Sequence, residues 1–184
     1  MSGLARLLVL GGARSGKSRC AQAHVEAVPG RLAYIATAQA FDAEMADRIS
    51  LHQADRGPRW RTVEAPVDLP GAIAAAAGQV DAILVDCLTL WLSNLLLADE
   101  DSGRWRAALI EAIADCAVPI ALVANEVGLS IVPDNALARR FRDEAGWLNQ
   151  QVAAACDSVV FVAAGLPLWL KGGCQQADRL ASRP

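Results

Sequence analysis

Short, continuous apolar runs separated by helical patterns dominate this chain. Leu7-Leu8-Val9-Leu10, Ala82-Ile83-Leu84-Val85 and Ile120-Ala121-Leu122-Val123 do not alternate with polar residues, which is how strands read when both faces of a parallel sheet are covered. The pattern predicts strands at 5–10, 31–36, 60–64, 80–86, 118–124 and 157–163, with a candidate edge strand that could run antiparallel at 166–170. Helices are expected at about 17–27, 42–56, 67–77, 88–97, 102–116 and 134–155. This alternating order implies an α/β fold: an open, mostly parallel sheet with helices on both faces, right-handed crossovers and ligands at the carboxyl ends of the strands. No repeat or linker divides it, so residues 1–172 are expected to form one domain. Residues 173–184, polar after Gly172-Gly173, read as a poorly anchored, flexible tail.

The first strand runs directly into Gly11-Gly12-Ala13-Arg14-Ser15-Gly16-Lys17-Ser18, which fits the phosphate-binding pattern G-x-x-x-x-G-K-[ST]. Such a loop works only where a buried strand ends, a Gly-rich turn exposes its backbone N–H groups, and a helix begins whose dipole favours anions. All three parts occur here in order. Lys17 is one of only two lysines, the other being Lys171, and it stands where a cation can reach the terminal phosphates. Ser18 follows, where a hydroxyl can ligate Mg²⁺. A Gly-rich turn that binds nothing is the competing explanation. The motif makes the expected fold P-loop NTPase-like, of the RecA-like kind.

Composition narrows the function further. The 184 residues are 54% hydrophobic with a net charge of −3, a pI of about 5.4 and a mean hydropathy of +0.27. No basic tract offers a footprint for nucleic acid. No apolar run reaches the ~18 residues of a membrane span, and the N-terminus lacks the apolar stretch of a secretory signal, so a cytoplasmic location is expected. Cys20, Cys87, Cys116, Cys156 and Cys174 are scattered and never form C-x-x-C; reduced, mostly buried thiols are expected. Neither His24 nor His52 lies at ligand spacing from a cysteine pair, which argues against zinc.

Several polar residues close predicted strands and would meet along one edge. Asp86 ends the run before it and could hold Mg²⁺ or its waters opposite Ser18, or cap the next helix, or both. Thr37 and Glu64 end two further strands, and Asn125-Glu126 another; each can serve a ligand or close a turn. In the predicted helix 42–56, Asp42 is a plausible N-cap, Gly57-Pro58 is a stop, and Phe41, Met45 and Ile49 form a core stripe. Arg48, His52 and Arg56 form an overlapping row. A neutral imidazole between two guanidiniums suits a nucleophile that accepts a phosphoryl group, although a lone histidine on a partly apolar face is also a common core residue. Arg139, Arg140 and Arg142 lie on a helix with the expected core stripe Leu137, Phe141, Leu148 and Val152, and solvated charge is their default role.

Taken in order, the P-loop, Tyr34-Ile35-Ala36-Thr37-Ala38, Asp42-Ala43-Glu44-Met45 with Arg48-Ile49 and His52, Trp60-Arg61-Thr62-Val63-Glu64, Asp86-Cys87-Leu88-Thr89, and Asn125-Glu126-Val127-Gly128 with Ile131-Val132-Pro133 resemble the bifunctional adenosylcobinamide kinase / adenosylcobinamide-phosphate guanylyltransferase family of cobalamin biosynthesis. Phe141-Arg142-Asp143, Gly146 and Leu148-Asn149-Gln150 fit as well, so the resemblance spans residues 7 to about 171. It implies two reactions: phosphorylation of adenosylcobinamide by ATP or GTP, then transfer of GMP from GTP to adenosylcobinamide phosphate, releasing pyrophosphate. It implies a GMP-histidine intermediate on His52, with Lys17 as the other catalytic group. Nucleotide contacts are implied at Gly11, Gly12, Ala13, Arg14, Ser15, Gly16, Lys17, Ser18, Ala36, Thr37, Ala38, Gln53, Ala54, Asp55, Arg56, Glu64 and Asp86, and Mg²⁺ at Ser18 and Asp86. It also implies a homo-oligomer, with a trimer suspected. Ser130 departs from the pattern, since relatives often carry Gly there.

Two other functions compete. A P-loop kinase of another small molecule explains Lys17, Ser18 and Asp86 but gives no role to His52. A guanine-nucleotide switch would use Asp68-Leu69-Pro70-Gly71 as its D-x-x-G loop, but that stretch follows no buried strand and the guanine-reading N-K-x-D is absent.

Overall fold

A computed structural model describes residues 6–38 and 57–172. Seven strands form one sheet: β1 (Arg6–Gly11), β2 (Leu32–Ala36), β3 (Trp60–Glu64), β4 (Ala82–Asp86), β5 (Ile120–Asn125), β6 (Ser158–Ala163) and β7 (Leu166–Lys171). Their spatial order is β3-β2-β4-β5-β1-β6-β7. All pairings are parallel except β6 with β7, which is antiparallel. The edge strand expected at 166–170 is therefore present. Five helices are described: α1 (Lys17–Glu26), α2 (Leu69–Ala77), α3 (Leu88–Leu97), α4 (Ser102–Asp115) and α5 (Ala136–Ala155). The predicted helix 42–56, with its stripe and its Arg48–His52–Arg56 row, lies outside the described residues, as do Cys174 and the rest of the tail.

Successive residues of each strand face opposite sides of a sheet, and here each side has its own core. Leu8, Leu10, Ile35, Ile83, Val85 and Leu122 pack with α2, α3, α4 and α5. Leu7, Val9, Leu32, Leu84, Val123 and Val160 pack with Ala21 and Val25 of α1. This two-sided burial explains why β1, β4 and β5 read as unbroken apolar runs. Helix α3 is apolar nearly all round because it is deeply enclosed: Leu88, Trp91, Leu92 and Leu95 are fully buried, and the Trp91 indole N–H donates to the Val67 carbonyl at 2.7 Å.

Local chemistry sets the helix ends. The Asp68 side chain accepts from the Gly71 N–H at 2.9 Å and caps α2, so the Asp68-Leu69-Pro70-Gly71 stretch is a helix start and not a switch loop. Asn135 caps α5 through the Ala138 N–H. The expected core stripe of α5 needs one correction: Phe141, Leu148 and Val152 are wholly or partly buried, but Leu137 is 57% exposed, because the first turn of the helix lies beyond the core. The arginines there divide. Arg139 is half-buried and donates to the Pro133 and Asp134 carbonyls, Arg142 pairs with Asp143, and Arg140 is exposed.

Candidate functional site

The register of the sheet brings the strand-closing residues to one edge. Ala36 lies opposite both Glu64 and Asp86, Asp86 opposite Val123, and Gly11 between Asn125 and Val162. The carboxyl ends of β3, β2, β4, β5 and β1 therefore present Glu64, Ala36-Thr37-Ala38, Asp86, Asn125 and the P-loop along a single rim, where open α/β sheets bind ligands.

The loop itself is shaped by backbone constraints. Arg14 has φ 55° and Gly16 has φ 96°, left-handed values that turn successive N–H groups toward one side. A Cβ on Gly11 would stand 2.5 Å from both Ser15 Oγ and the Val162 carbonyl oxygen, so only glycine fits between the loop and β6. Gly16 is the N-cap of α1 and contributes no capping side chain, which leaves the first N–H groups of the helix available to an anion. A tight turn at Ala164-Gly165, joining β6 to β7, buttresses the loop: the Gly165 N–H donates to the Ser15 carbonyl at 2.8 Å. The Lys17 ammonium folds back onto the Gly12 carbonyl at 3.1 Å. Ser18 is half-buried in the first turn of α1.

Asp86 is half-buried at the end of β4, and its peptide bond to Cys87 is cis. The N-cap position of α3 is held by Cys87, in extended conformation. Burial pushes the Cys87 thiol up to about 11, assisted by the Asp86 carboxylate and opposed by backbone N–H groups and by the Lys17 ammonium. Lys17, at the start of α1, and Asp86, at the end of β4, thus both act on Cys87. Behind them stands Thr37, fully buried, whose hydroxyl donates to the Cys87 carbonyl at 2.7 Å and accepts from the Cys87 N–H at 2.9 Å. Asn94 of α3 donates to the carbonyls of Thr37 and Pro66. Sequence reasoning passes over Asn94, although a lone amide in the apolar run Leu88–Leu97 is a recognisable signal of such a tie. Glu64 is exposed, Ala36 is buried and Ala38 is half-buried. His52, Gln53, Ala54, Asp55 and Arg56 lie outside the described residues.

The donor set suits Mg²⁺. A serine hydroxyl and a carboxylate are hard oxygen ligands, and Mg²⁺ takes one or two protein oxygens together with waters and phosphates rather than a protein-only cage. Of the four described cysteines, Cys87, Cys116 and Cys156 are buried, Cys20 is partly so, and all are free thiols, in keeping with their scattered spacing.

A profile of the cobinamide kinase / cobinamide phosphate guanyltransferase family matches residues 7–170. The chain belongs to this family. Among curated relatives, the bifunctional adenosylcobalamin biosynthesis protein CobP of Pseudomonas aeruginosa is 49% identical over 169 residues, covering 91% of this chain and 98% of the relative. CobU of Salmonella typhimurium, another bifunctional adenosylcobalamin biosynthesis protein, is 43% identical over 180 residues, covering 90% and 99%. A solved structure from Pyrococcus horikoshii OT3 superposes with a TM-score of 0.53 at 10% identity, covering 94% of this chain and 88% of that one; this likeness concerns the fold alone. Family membership makes the chain an enzyme of cobalamin biosynthesis with kinase and guanylyltransferase activities.

Proposed function

We propose that this enzyme phosphorylates adenosylcobinamide with ATP or GTP at the rim built by the P-loop and Asp86. It then transfers GMP from GTP, through His52, to adenosylcobinamide phosphate. What supports the proposal is that Lys17 and Asp86 both act electrostatically on Cys87 at the sheet edge, with Ser18 next to Lys17 in a helix start whose N-cap contributes no side chain.

In the first reaction the N–H groups of residues 12–18 cradle the phosphates, and Lys17 leaves the Gly12 carbonyl to reach the terminal phosphoryl group. Ser18 and Asp86 would hold Mg²⁺, which when bound neutralises phosphate charge. In the second reaction a neutral His52 nitrogen attacks the α-phosphorus of GTP. An N–P bond forms and the α–β bridging P–O bond breaks, releasing pyrophosphate. A phosphate oxygen of adenosylcobinamide phosphate then displaces the histidine, giving adenosylcobinamide-GDP. Arg48 and Arg56 offset the charge moving onto pyrophosphate. Ala36, Thr37, Ala38, Gln53, Ala54, Asp55 and Glu64 complete the nucleotide surround. Thr37 does so by position, since its hydroxyl is already bonded to Cys87.

The working form is a cytoplasmic homo-oligomer, with a trimer the suspected state. Among the described residues no helix is long and apolar enough to cross a membrane. Incubation with α-labelled GTP and Mg²⁺, followed by peptide mapping, tests the central claim. Label retained through denaturation on the peptide containing His52 supports it; label elsewhere, or none from active enzyme, rejects it.

A further inference from the structure

The loop between β5 and α5, residues 126–135, leaves the sheet beside the P-loop: the Glu126 N–H donates to the Gly11 carbonyl at 3.1 Å. Strand β5 stands between β1, which leads to Lys17, and β4, which ends in Asp86. The loop therefore rises from the middle of the rim. Its apolar residues divide. Val127 packs against the core, whereas Leu129 is 83% exposed, Ile131 93% and Val132 62%. Leu137, in the first turn of α5, adds another exposed aliphatic side chain just beyond the loop. Single exposed leucines are ordinary on a protein surface, but several in one stretch beside a reaction centre mark a place that receives an apolar ligand.

The loop is tied by its own polar groups. The Glu126 carboxylate accepts from the Gly128 N–H at 2.6 Å, and the Ser130 hydroxyl donates to the Val127 carbonyl at 3.4 Å. At the other end the Arg139 guanidinium donates to the carbonyls of Pro133 at 3.0 Å and Asp134 at 2.7 Å, while Asn135 caps α5. These bonds turn inward, and the aliphatic side chains are left as the outer surface. A surface whose backbone is already fixed loses less freedom when a ligand covers it.

The chemistry of the acceptor supplies the occupant. Adenosylcobinamide carries its reacting hydroxyl at the end of an aminopropanol arm, and the rest of the molecule is a broad corrin ring with a methyl-rich periphery. With that hydroxyl brought to the phosphates at the P-loop, the ring comes to rest on whatever apolar surface flanks the end of β5. We infer that the aliphatic surface of Leu129, Ile131 and Val132, continued by Leu137, is the seat of the corrin ring. The inference rests on the proposed kinase reading and gives its acceptor a place. The other row of exposed leucines, Leu166, Leu168 and Leu170, lies on the edge strand β7, on the far side of β1 and β6 from β5.

Equilibrium dialysis of adenosylcobinamide, followed by its visible absorbance, tests the inference on wild type, Leu129→Ser, Ile131→Ser and Ile131→Leu. Both side chains are exposed, so the serine variants should fold as wild type does. Each serine should weaken corrinoid binding about tenfold, the loss expected for one large aliphatic side chain covered by a ligand. The KM for adenosylcobinamide should rise in step while kcat changes little. Ile131→Leu should bind as wild type does, and affinity for the Mg²⁺ complex of a non-hydrolysable ATP analogue should stay within about twofold in every variant. Unchanged corrinoid binding in both serine variants, or an equal loss of analogue binding, would overturn the inference. So would a smaller oligomer by light scattering in the serine variants, which would make the loop a contact between copies of the chain. A wild-type enzyme that binds the analogue but neither binds nor phosphorylates adenosylcobinamide would instead overturn the proposed function.

Discussion

Thr37 and Cys87 hold each other by two reciprocal hydrogen bonds, the threonine hydroxyl giving one to the Cys87 carbonyl and receiving one from the Cys87 N–H. The pair ties the loop after β2 to the loop after β4. Because Cys87 follows Asp86 directly, the same two bonds fix the point from which the Asp86 carboxylate leaves the sheet.

Thr37→Val keeps the shape of the side chain but strands the buried Cys87 N–H, while the Cys87 carbonyl keeps the Trp91 N–H at 3.2 Å. The stranded group should cost about 1–3 kcal/mol, read as a lower urea midpoint, and the Mg²⁺ concentration needed for phosphoryl transfer should rise. Thr37→Ser, which keeps the hydroxyl, should recover most of both. A valine variant as stable and as active as wild type would show that the clamp is dispensable.

The P-loop glycines make a contrasting pair. Gly11→Ala drives a methyl group into Ser15 Oγ and the Val162 carbonyl. The second is strand backbone and cannot yield, so the loop must move and nucleotide affinity should fall by well over tenfold. A Cβ on Gly12 meets nothing within 4 Å, so Gly12→Ala should melt at the wild-type temperature. Calorimetry and thermal unfolding on both variants separate the two cases.

Much of this arrangement is legible in the amino-acid sequence. Apolar runs ending in Leu10, Val85 and Val123 place three buried strands, and the residues that follow them, Gly11, Asp86 and Asn125 among them, are candidates by position alone. Periodicity can do this because both faces of the sheet are covered. It cannot reveal that the Thr37 hydroxyl turns inward onto Cys87 or that the turn at Gly165 supports Ser15, since these contacts join residues at least 50 positions apart. Leu137 misleads for the related reason that a helical stripe continues in sequence past the point where the core ends. Asp86 is ambiguous in sequence between ligand and helix cap, because the two roles want the same residue at the same place.

Asp86→Asn should keep the fold and lose most metal-dependent activity, because the amide preserves shape while removing charge. Added Mg²⁺ should restore part of it. Lys17→Ala should impair both half-reactions, since each needs the triphosphate anchored and its charge offset. Initial rates of both reactions across a Mg²⁺ series test the pair; wild-type rates in Lys17→Ala would reduce the P-loop to a structural turn.

Two buried thiols predict an alkaline weakness. Burial pushes Cys156 from 9.0 up to about 12, with Asp157 adding to the effect, and Cys87 up to about 11. A thiol raised in the folded state favours folding while it is neutral in both states, so this contribution is complete below about pH 9. It is lost as the pH climbs toward 11 to 12, where the unfolded chain ionises first. The urea midpoint should fall across that window, and less steeply in Cys156→Ala. An identical slope in the variant would remove Cys156 from the account.

The role of His52 yields the sharpest separation of the two activities. Attack on the α-phosphorus of GTP needs a protein nucleophile, whereas transfer of a γ-phosphoryl group to a substrate hydroxyl can proceed directly, as positioning and charge stabilisation supply most of the catalysis. His52→Ala should therefore abolish both the guanylylated enzyme and transferase turnover while sparing much of the kinase rate. The wild-type intermediate should survive base and be cleaved by acid, the behaviour of a phosphorus–nitrogen bond. Acid-stable, base-labile label would move the linkage to an oxygen nucleophile. Full transferase activity in His52→Ala would refute the covalent role, and loss of both activities together would mean that His52 shapes the nucleotide site that the two reactions share.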